Sequence, residues 1–228
     1  MGVKSMTGFK KTMLHSKFAI TASVLILSAF VYLTPAGAVP SAEPEKQDWS
    51  FSGIFGTFDR GSLQRGFQVY KQVCAACHSL NLMSYRNLSQ PGGPEFSEEQ
   101  VKALAAEADV QDGPNDEGDM FDRPGRPSDK FVAPFPNEES ARAANGGALP
   151  PDLSMMSKAR RDGSNYLYSL LTGYDEEPPA GVEVRDGMNY NPYFTGSQIA
   201  MAPPLLEDAV EYTDGTKASP ENMAKDVV

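Results

Sequence analysis

The chain has 228 residues, a hydrophobic share of 40 %, 20 glycines, 18 prolines and a formal charge of −10. That is enough apolar material for one packed core with extensive irregular structure. Acidity on this scale argues against nucleic acid and anionic lipid as partners; it suits either plain solubility or a basic protein partner.

Residues 1–38 predict a secretory signal peptide. Lys4, Lys10, Lys11 and Lys17 give a positive start without a single acidic residue, and Phe18 to Leu33 is a run of apolar or small residues. Ala36-Gly37-Ala38 is a small-x-small pattern that puts the cut before Val39. The alternative is an uncleaved N-terminal anchor, because the run approaches spanning length. Cleavage removes His15 and leaves His78 as the one histidine of the mature chain. Residues 39–58 begin polar and proline-containing, a tether rather than a packed element, and continue as an apolar cluster of Trp49, Phe51, Ile54, Phe55 and Phe58.

Asp59 is the expected N-cap of a first helix, with Leu63, Phe67 and Tyr70 on one apolar face. That helix delivers the chain to Cys74-Ala75-Ala76-Cys77-His78. Two thiols three positions apart with a histidine directly after form the pattern of covalent haem attachment. The thiols add across the two vinyl groups, and the imidazole reaches the iron from the same turn. Zinc would need about four ligands, and the chain has no other cysteine. A thioredoxin-like redox pair needs a strand–helix context, whereas the residues before Cys74 read as the end of a helix. A plain disulfide leaves His78 unexplained. Covalent haem also implies export, in agreement with the signal.

After His78, Leu80, Leu82, Met83, Tyr85 and Leu88 read as an apolar wall for the cofactor, ended by Pro91-Gly92-Gly93-Pro94. Ser97 to Gln100 is a capping box opening a second helix, with Val101, Leu104, Ala105 and Ala108 as its stripe. Asp109 to Lys130 is acidic and rich in glycine and proline, an expected exposed loop. Asn137 should cap a short helix through Ala144, stopped by Gly146-Gly147.

In Leu149-Pro150-Pro151-Asp152, the carbonyl of Pro151, or of Pro150, is a candidate acceptor for the second N–H of His78. Such a bond fixes the ring tautomer and raises its basicity. The alternative is a turn with no cofactor contact. Arg160 and Arg161 precede a helical stripe of Tyr166, Leu167, Leu170 and Leu171 closed by Gly173. Arginines suit haem propionates, although such a pair is commonly solvated surface. Asp175 to Asn191 reads as loop. An iron that carries electrons needs a second axial ligand, and histidine is excluded by count. The mature methionines are Met83, Met120, Met155, Met156, Met188, Met201 and Met223. Met201 stands out because Ala202-Pro203-Pro204 stiffens the backbone beyond its sulfur; the others are core fillers or rival ligands.

Four motifs now stand in order: Cys74 to Leu80, Asn145 to Ser154, Tyr168 to Tyr174, and Asn191 to Phe194 with Ile199 to Leu205. Together they resemble the cytochrome c1 family, the haem-bearing subunits of the cytochrome bc1 complex, from about Trp49 to Val228. The resemblance implies a mainly α fold: a class I cytochrome c-like helical core around one covalent haem c, with long irregular inserted loops. It implies His78 and Met201 as axial ligands and Arg160 and Tyr166 beside a propionate.

It also implies a role. A Rieske iron–sulfur subunit and cytochrome b would be partners, and a soluble basic c-type cytochrome the acceptor. The chain would be an electron carrier rather than an enzyme by itself, on the periplasmic face of a bacterial inner membrane. The expected organisation is a signal peptide (1–38), a tether and apolar cluster (39–58), a haem domain (59–218) and the start of a C-terminal helix (219–228). The family ends in a membrane anchor, and nothing after Leu206 is long or apolar enough to be one. A truncated chain is therefore expected, with a naturally soluble homologue as the alternative. An independent soluble electron carrier and a haem enzyme such as a peroxidase are the competing functional classes. The peroxidase reading needs an open iron position and distal acid–base groups.

Overall fold

The computed structural model describes residues 1, 2, 41–175 and 177–228. The chain divides into two units, Met1–Val39 and Pro40–Val228, and the second holds the described fold. The expected signal peptide, its cleavage site and His15 lie outside the described residues.

The first helix, α1 (Arg60–Gln72), starts where the sequence places it. The Asp59 carboxylate accepts the Ser62 amide at 2.7 Å, occupying an otherwise orphaned N–H. Its buried surface is wider than one stripe. Val69 packs into a cluster with Tyr168, Leu205, Tyr212 and Met223. Tyr70 packs into a second with Tyr85, Leu88, Val101 and Phe131. The helix is thus covered on two sides, and burying a side chain the size of Val69 contributes about 1.5–3 kcal/mol.

One cover is α6 (Pro220–Val227), capped by Ser219 with Pro220 in its first turn. Met223 and Ala224 are fully buried there. The two helices cross closely at Gly66, where an added Cβ would lie 1.9 Å from the Asp226 carbonyl oxygen. Arg65 seals the seam, donating to both Asp226 carboxylate oxygens and to Asp214, each at 2.8 Å. Among the described residues no helix is long and apolar enough to cross a membrane.

The other cover is α2 (Glu98–Ala106), opened by the Ser97–Gln100 capping box, together with a 3-10 turn over Tyr85–Ser89. Phe131 joins them, with Tyr85 4.5 Å away ring to ring. Tyr85 and Leu88 therefore fill a protein core, and Leu82 stands 61 % exposed. Tyr85 and Leu88 thus do not form the expected cofactor wall; of that set, Leu80 and Met83 pack against the cluster's edge.

The stretch expected as a loop from Asp109 to Lys130 contains an antiparallel hairpin of β1 (Asp109–Asp112) and β2 (Phe121–Pro124), with Asp112 opposite Phe121. Its base is tied by Arg123, which donates to Asp112 and, at 2.7 and 3.1 Å, to both oxygens of Asp129. Short helices α3 (Glu138–Ala144, capped by Asn137) and α4 (Met156–Ala159) follow, then α5 (Gly163–Thr172). On α5 the most buried residues are Tyr168, Ser169 and Leu170. Two residues each form β3 (Asn189–Tyr190) and β4 (Gln198–Ile199), paired antiparallel. Helices, two small ribbons and long connections give the helical, loop-rich architecture expected.

The polar stretch before Trp49 is irregular but not a free tether. Glu45 N–H donates to Ser169 Oγ at 2.8 Å, Gln47 N–H to Asn165 Oδ1 at 3.0 Å, and Ala42 N–H to the Pro192 carbonyl at 2.8 Å. The polar groups on α5 receive a passing chain, an effect no local pattern announces. The apolar cluster beyond it splits: Trp49, Phe51 and Phe58 stack in series, while Ile54 and Phe55 stand at least 90 % exposed at the loop tip.

Candidate functional site

Helix α1 ends at Gln72, and Cys74–Ala76 tighten into a 3-10 turn. The Cys74 carbonyl accepts both the Cys77 amide at 3.1 Å and the His78 amide at 2.9 Å. One acceptor thus gathers all three side chains onto a single turn. The two thiols are not joined to each other. Burial, and then the neighbouring Cys77, push the Cys74 thiol up to about 11. A helix rather than a strand leads into Cys74, so the strand–helix context of a thioredoxin-like redox pair is missing here.

The His78 ring lies with Nδ1 2.8 Å from the Pro151 carbonyl oxygen. A carbonyl can only accept, so Nδ1 carries a proton, and in the neutral ring the lone pair is on Nε2. Of the two candidate prolines it is Pro151 that meets the ring. The backbone on either side is fixed as well. Tyr70 Oη donates to the His78 carbonyl at 3.3 Å, and Leu153 N–H donates to the Ser79 carbonyl at 2.9 Å.

Met201 follows β4 and is half-buried. Its carbonyl accepts Tyr174 Oη at 3.0 Å and Asn189 Nδ2 at 3.3 Å, so its backbone is held from two directions. The other methionines separate by environment. Met223 is fully buried between α1 and α6, Met83 packs against the second core cluster, and Met120 and Met155 are about half exposed. Met156 and Met188 are half-buried, and among the described residues no side chain donates to their carbonyls. Arg160 sits beside the Tyr166 phenol, which burial pushes up and the guanidinium pulls back down. Tyr174 is shifted strongly upward by burial, with Tyr166 close enough to add to the effect. Arg160, Tyr166, Tyr174 and Met201 are thus brought into one neighbourhood. Arg161 is not part of it; its side chain is 96 % exposed and lies 3.7 Å from the Asp162 carboxylate.

This donor set fits a haem better than a bare metal ion. Among the described residues no group of three or more His, Cys, Asp and Glu side chains could hold a metal ion. Two thiols and an imidazole gathered on one turn suit the covalent attachment of a haem, and Met201, whose backbone carbonyl is held by Tyr174 and Asn189, supplies a thioether of the kind such an iron takes.

A sequence model of the cytochrome c1 family matches residues 49–228. The chain belongs to the cytochrome c1 family. It is 57 % identical over 180 residues to "Cytochrome c1-2, heme protein, mitochondrial" of Solanum tuberosum, covering 79 % of this chain and 68 % of that one. It is 52 % identical to the "Cytochrome b-c1 complex catalytic subunit, mitochondrial" of Candida albicans, covering 84 % and 67 %. It is 48 % identical to "Cytochrome b/c1" of Bradyrhizobium diazoefficiens, covering 82 % of this chain and 30 % of that one. Against further plant and yeast relatives the chain spans just under three fifths of their length.

In this cytochrome c1-family chain, reading by sequence alone passes over Asp152, Ser79, Tyr174 and Asn189. The first two bond across 73 residues, Ser79 Oγ to Asp152 Oδ2 at 2.8 Å. A weak local signal did exist: Asp152 and Ser154 form an Asx turn, the Ser154 amide donating to Asp152 Oδ1 at 2.9 Å.

Proposed function

We propose that this chain carries one haem c, attached to Cys74 and Cys77 and ligated by His78 and Met201, and passes single electrons as the cytochrome c1 subunit of a cytochrome bc1 complex. The observation that carries this reading is the His78 ring. Its Nδ1 is committed to Pro151, which leaves Nε2 for a metal one residue after two unpaired thiols. Bound haem supplies a one-electron ferrous–ferric couple.

The chain's own residues provide the setting. The Pro151 carbonyl holds one tautomer of His78 and raises its basicity. Tyr174 and Asn189 restrain the Met201 backbone, and a thioether donor there favours the ferrous state. Arg160 and Tyr166 offer a guanidinium and a phenol to a propionate. Names of relatives support membership of the complex. In that setting a Rieske iron–sulfur subunit donates, a soluble basic c-type cytochrome accepts, cytochrome b lies alongside, and a membrane anchor tethers the haem domain, which takes in α6 as well as residues 59–218 because Met223 and Ala224 pack into its core. Residues 1–38 export it to the periplasmic face of a bacterial inner membrane. Acidic residues on and around the hairpin, Asp109, Asp116, Glu117, Asp119 and Asp122, are exposed and suit steering of a basic acceptor.

The test is acid–acetone extraction with an intact-mass measurement. Haem should stay on the polypeptide and be absent from a Cys74→Ala, Cys77→Ala double variant. Complete extraction from the unaltered protein would overturn the reading.

A further inference from the structure

The hydrogen bond from His78 to Pro151 joins residues 73 positions apart, and it lasts only while their two chain segments stay in register. The register has a visible lock. Leu153 N–H donates to the Ser79 carbonyl at 2.9 Å, and Leu82 N–H donates to Ser154 Oγ at 3.0 Å. Between these lies the Asp152 carboxylate. Oδ2 accepts Ser79 Oγ at 2.8 Å and Asn81 N–H at 2.7 Å, while Oδ1 accepts Ser154 N–H at 2.9 Å. One anionic group therefore takes donors from both segments. Its neighbours on the chain and across it are Pro151 and the residue after His78.

We propose that Asp152 is a positioning residue for the imidazole: its carboxylate clamps Ser79 and Asn81 so that the Pro151 carbonyl stays on His78 Nδ1. This rests on the haem reading, in which Nε2 of the same ring meets the iron. Charge matters as well as shape. All three partners are donors, so two acceptor oxygens are required. Burial alone would raise the Asp152 carboxyl, but the hydrogen bonds from Asn81, Ser154 and Ser79 outweigh it and the carboxyl is lowered. An asparagine of the same size must turn an N–H₂ toward a donor and opens the clamp.

The experiment compares haem-loaded wild type, Asp152→Asn and Ser79→Ala. It measures solvent exchange of the His78 Nδ1 proton by NMR, the midpoint potential and the thermal melt. In Asp152→Asn the proton should exchange about tenfold faster, as expected for loss of a charge-assisted hydrogen bond. The potential should move upward, because a ring less firmly bonded at Nδ1 donates less to ferric iron. Ser79→Ala removes one of the three bonds and should move both quantities the same way by less. A lower melt with exchange and potential at wild-type values would make Asp152 merely structural and overturn the proposal. If Asp152→Asn does not fold, Ser79→Ala decides alone: movement of both readouts supports the clamp, and unmoved values refute it. If the wild type shows no haem-shifted His78 signal, the haem reading fails and the role of Asp152 falls with it. A normal wild-type signal that neither variant moves overturns only the clamp.

Discussion

Replacing Gly66 by alanine sets two effects of opposite sign against each other. In an exposed helix interior alanine is favoured over glycine by about 1 kcal/mol. At Gly66 an added Cβ would lie 1.9 Å from the Asp226 carbonyl oxygen, 2.6 Å from its carbon and 3.2 Å from the Val227 Cα. All three are backbone atoms of α6, so no rotamer relieves the clash. Ordinary contact needs about 3.5 Å, so α1 and α6 would have to separate by roughly 1.5 Å. That opens the seam in which Val69, Met223 and Ala224 are fully buried. Overpacking costs about 1–3 kcal/mol, and a clash with main chain belongs at the upper end. After the helix-propensity gain, the expected net loss is about 2 kcal/mol. Guanidinium unfolding of the haem-loaded protein should show a lower midpoint with an unchanged slope. A stability equal to wild type, or about 1 kcal/mol higher, would refute the close crossing of these helices.

Three further predictions concern other features. The Tyr212 hydroxyl is buried close to Asp226 but outside hydrogen-bond geometry to any described residue, so Tyr212→Phe should leave unfolding stability within about 0.5 kcal/mol or raise it; a loss above about 1.5 kcal/mol would reveal a bond to Asp226. The Thr216 amide and hydroxyl, and then Arg65, hold the Asp214 carboxyl down at about 2, and Arg123 lowers Asp112 and Asp129. A carboxyl depressed by folding contributes stability above its ordinary value near 3.8 and loses it as pH falls. Denaturation midpoints should thus be flat from about pH 7 to 5 and drop below about pH 4, less steeply in Asp214→Asn; equal slopes would contradict this. Electron delivery to a basic cytochrome should slow with salt, as the Debye length shortens from about 10 Å at 0.1 M to 3 Å at 1 M, and a salt-independent rate would rule out acidic steering.

Four of the six helix starts among the described residues were readable because capping is local; the helices opening at Met156 and Gly163 have no side-chain cap to announce them. Asp59, Ser97, Asn137 and Ser219 each bond an amide three residues on, and their side-chain chemistry announces it. The clustering of Cys74, Cys77 and His78 was equally local. The hairpin was not readable. Its four-residue strands are swamped by the Gly113–Gly118 connection, and its base depends on Arg123 reaching Asp112 and Asp129. The docking of the stretch before Trp49 depends on Ser169 and Asn165 more than a hundred residues away. Tyr85 and Leu88 were apolar next to a presumed cofactor, but Phe131 and Val101 claimed them. The pairs that hold the site, Asp152 with Ser79 and Tyr174 with Met201, exist because distant segments come alongside, and periodicity cannot report that.

The central claim is that His78 and Met201 face each other across one haem iron, and a redox titration with ferric near-infrared spectra tests it most directly. Met201→Leu nearly conserves volume, so packing should lose less than about 1.5 kcal/mol. The wild type should show a methionine–iron charge-transfer band and a high potential, since a thioether favours ferrous iron. In Met201→Leu the band should vanish and the potential fall. A variant that keeps both the band and the wild-type potential would contradict the account and pass the ligand to another methionine.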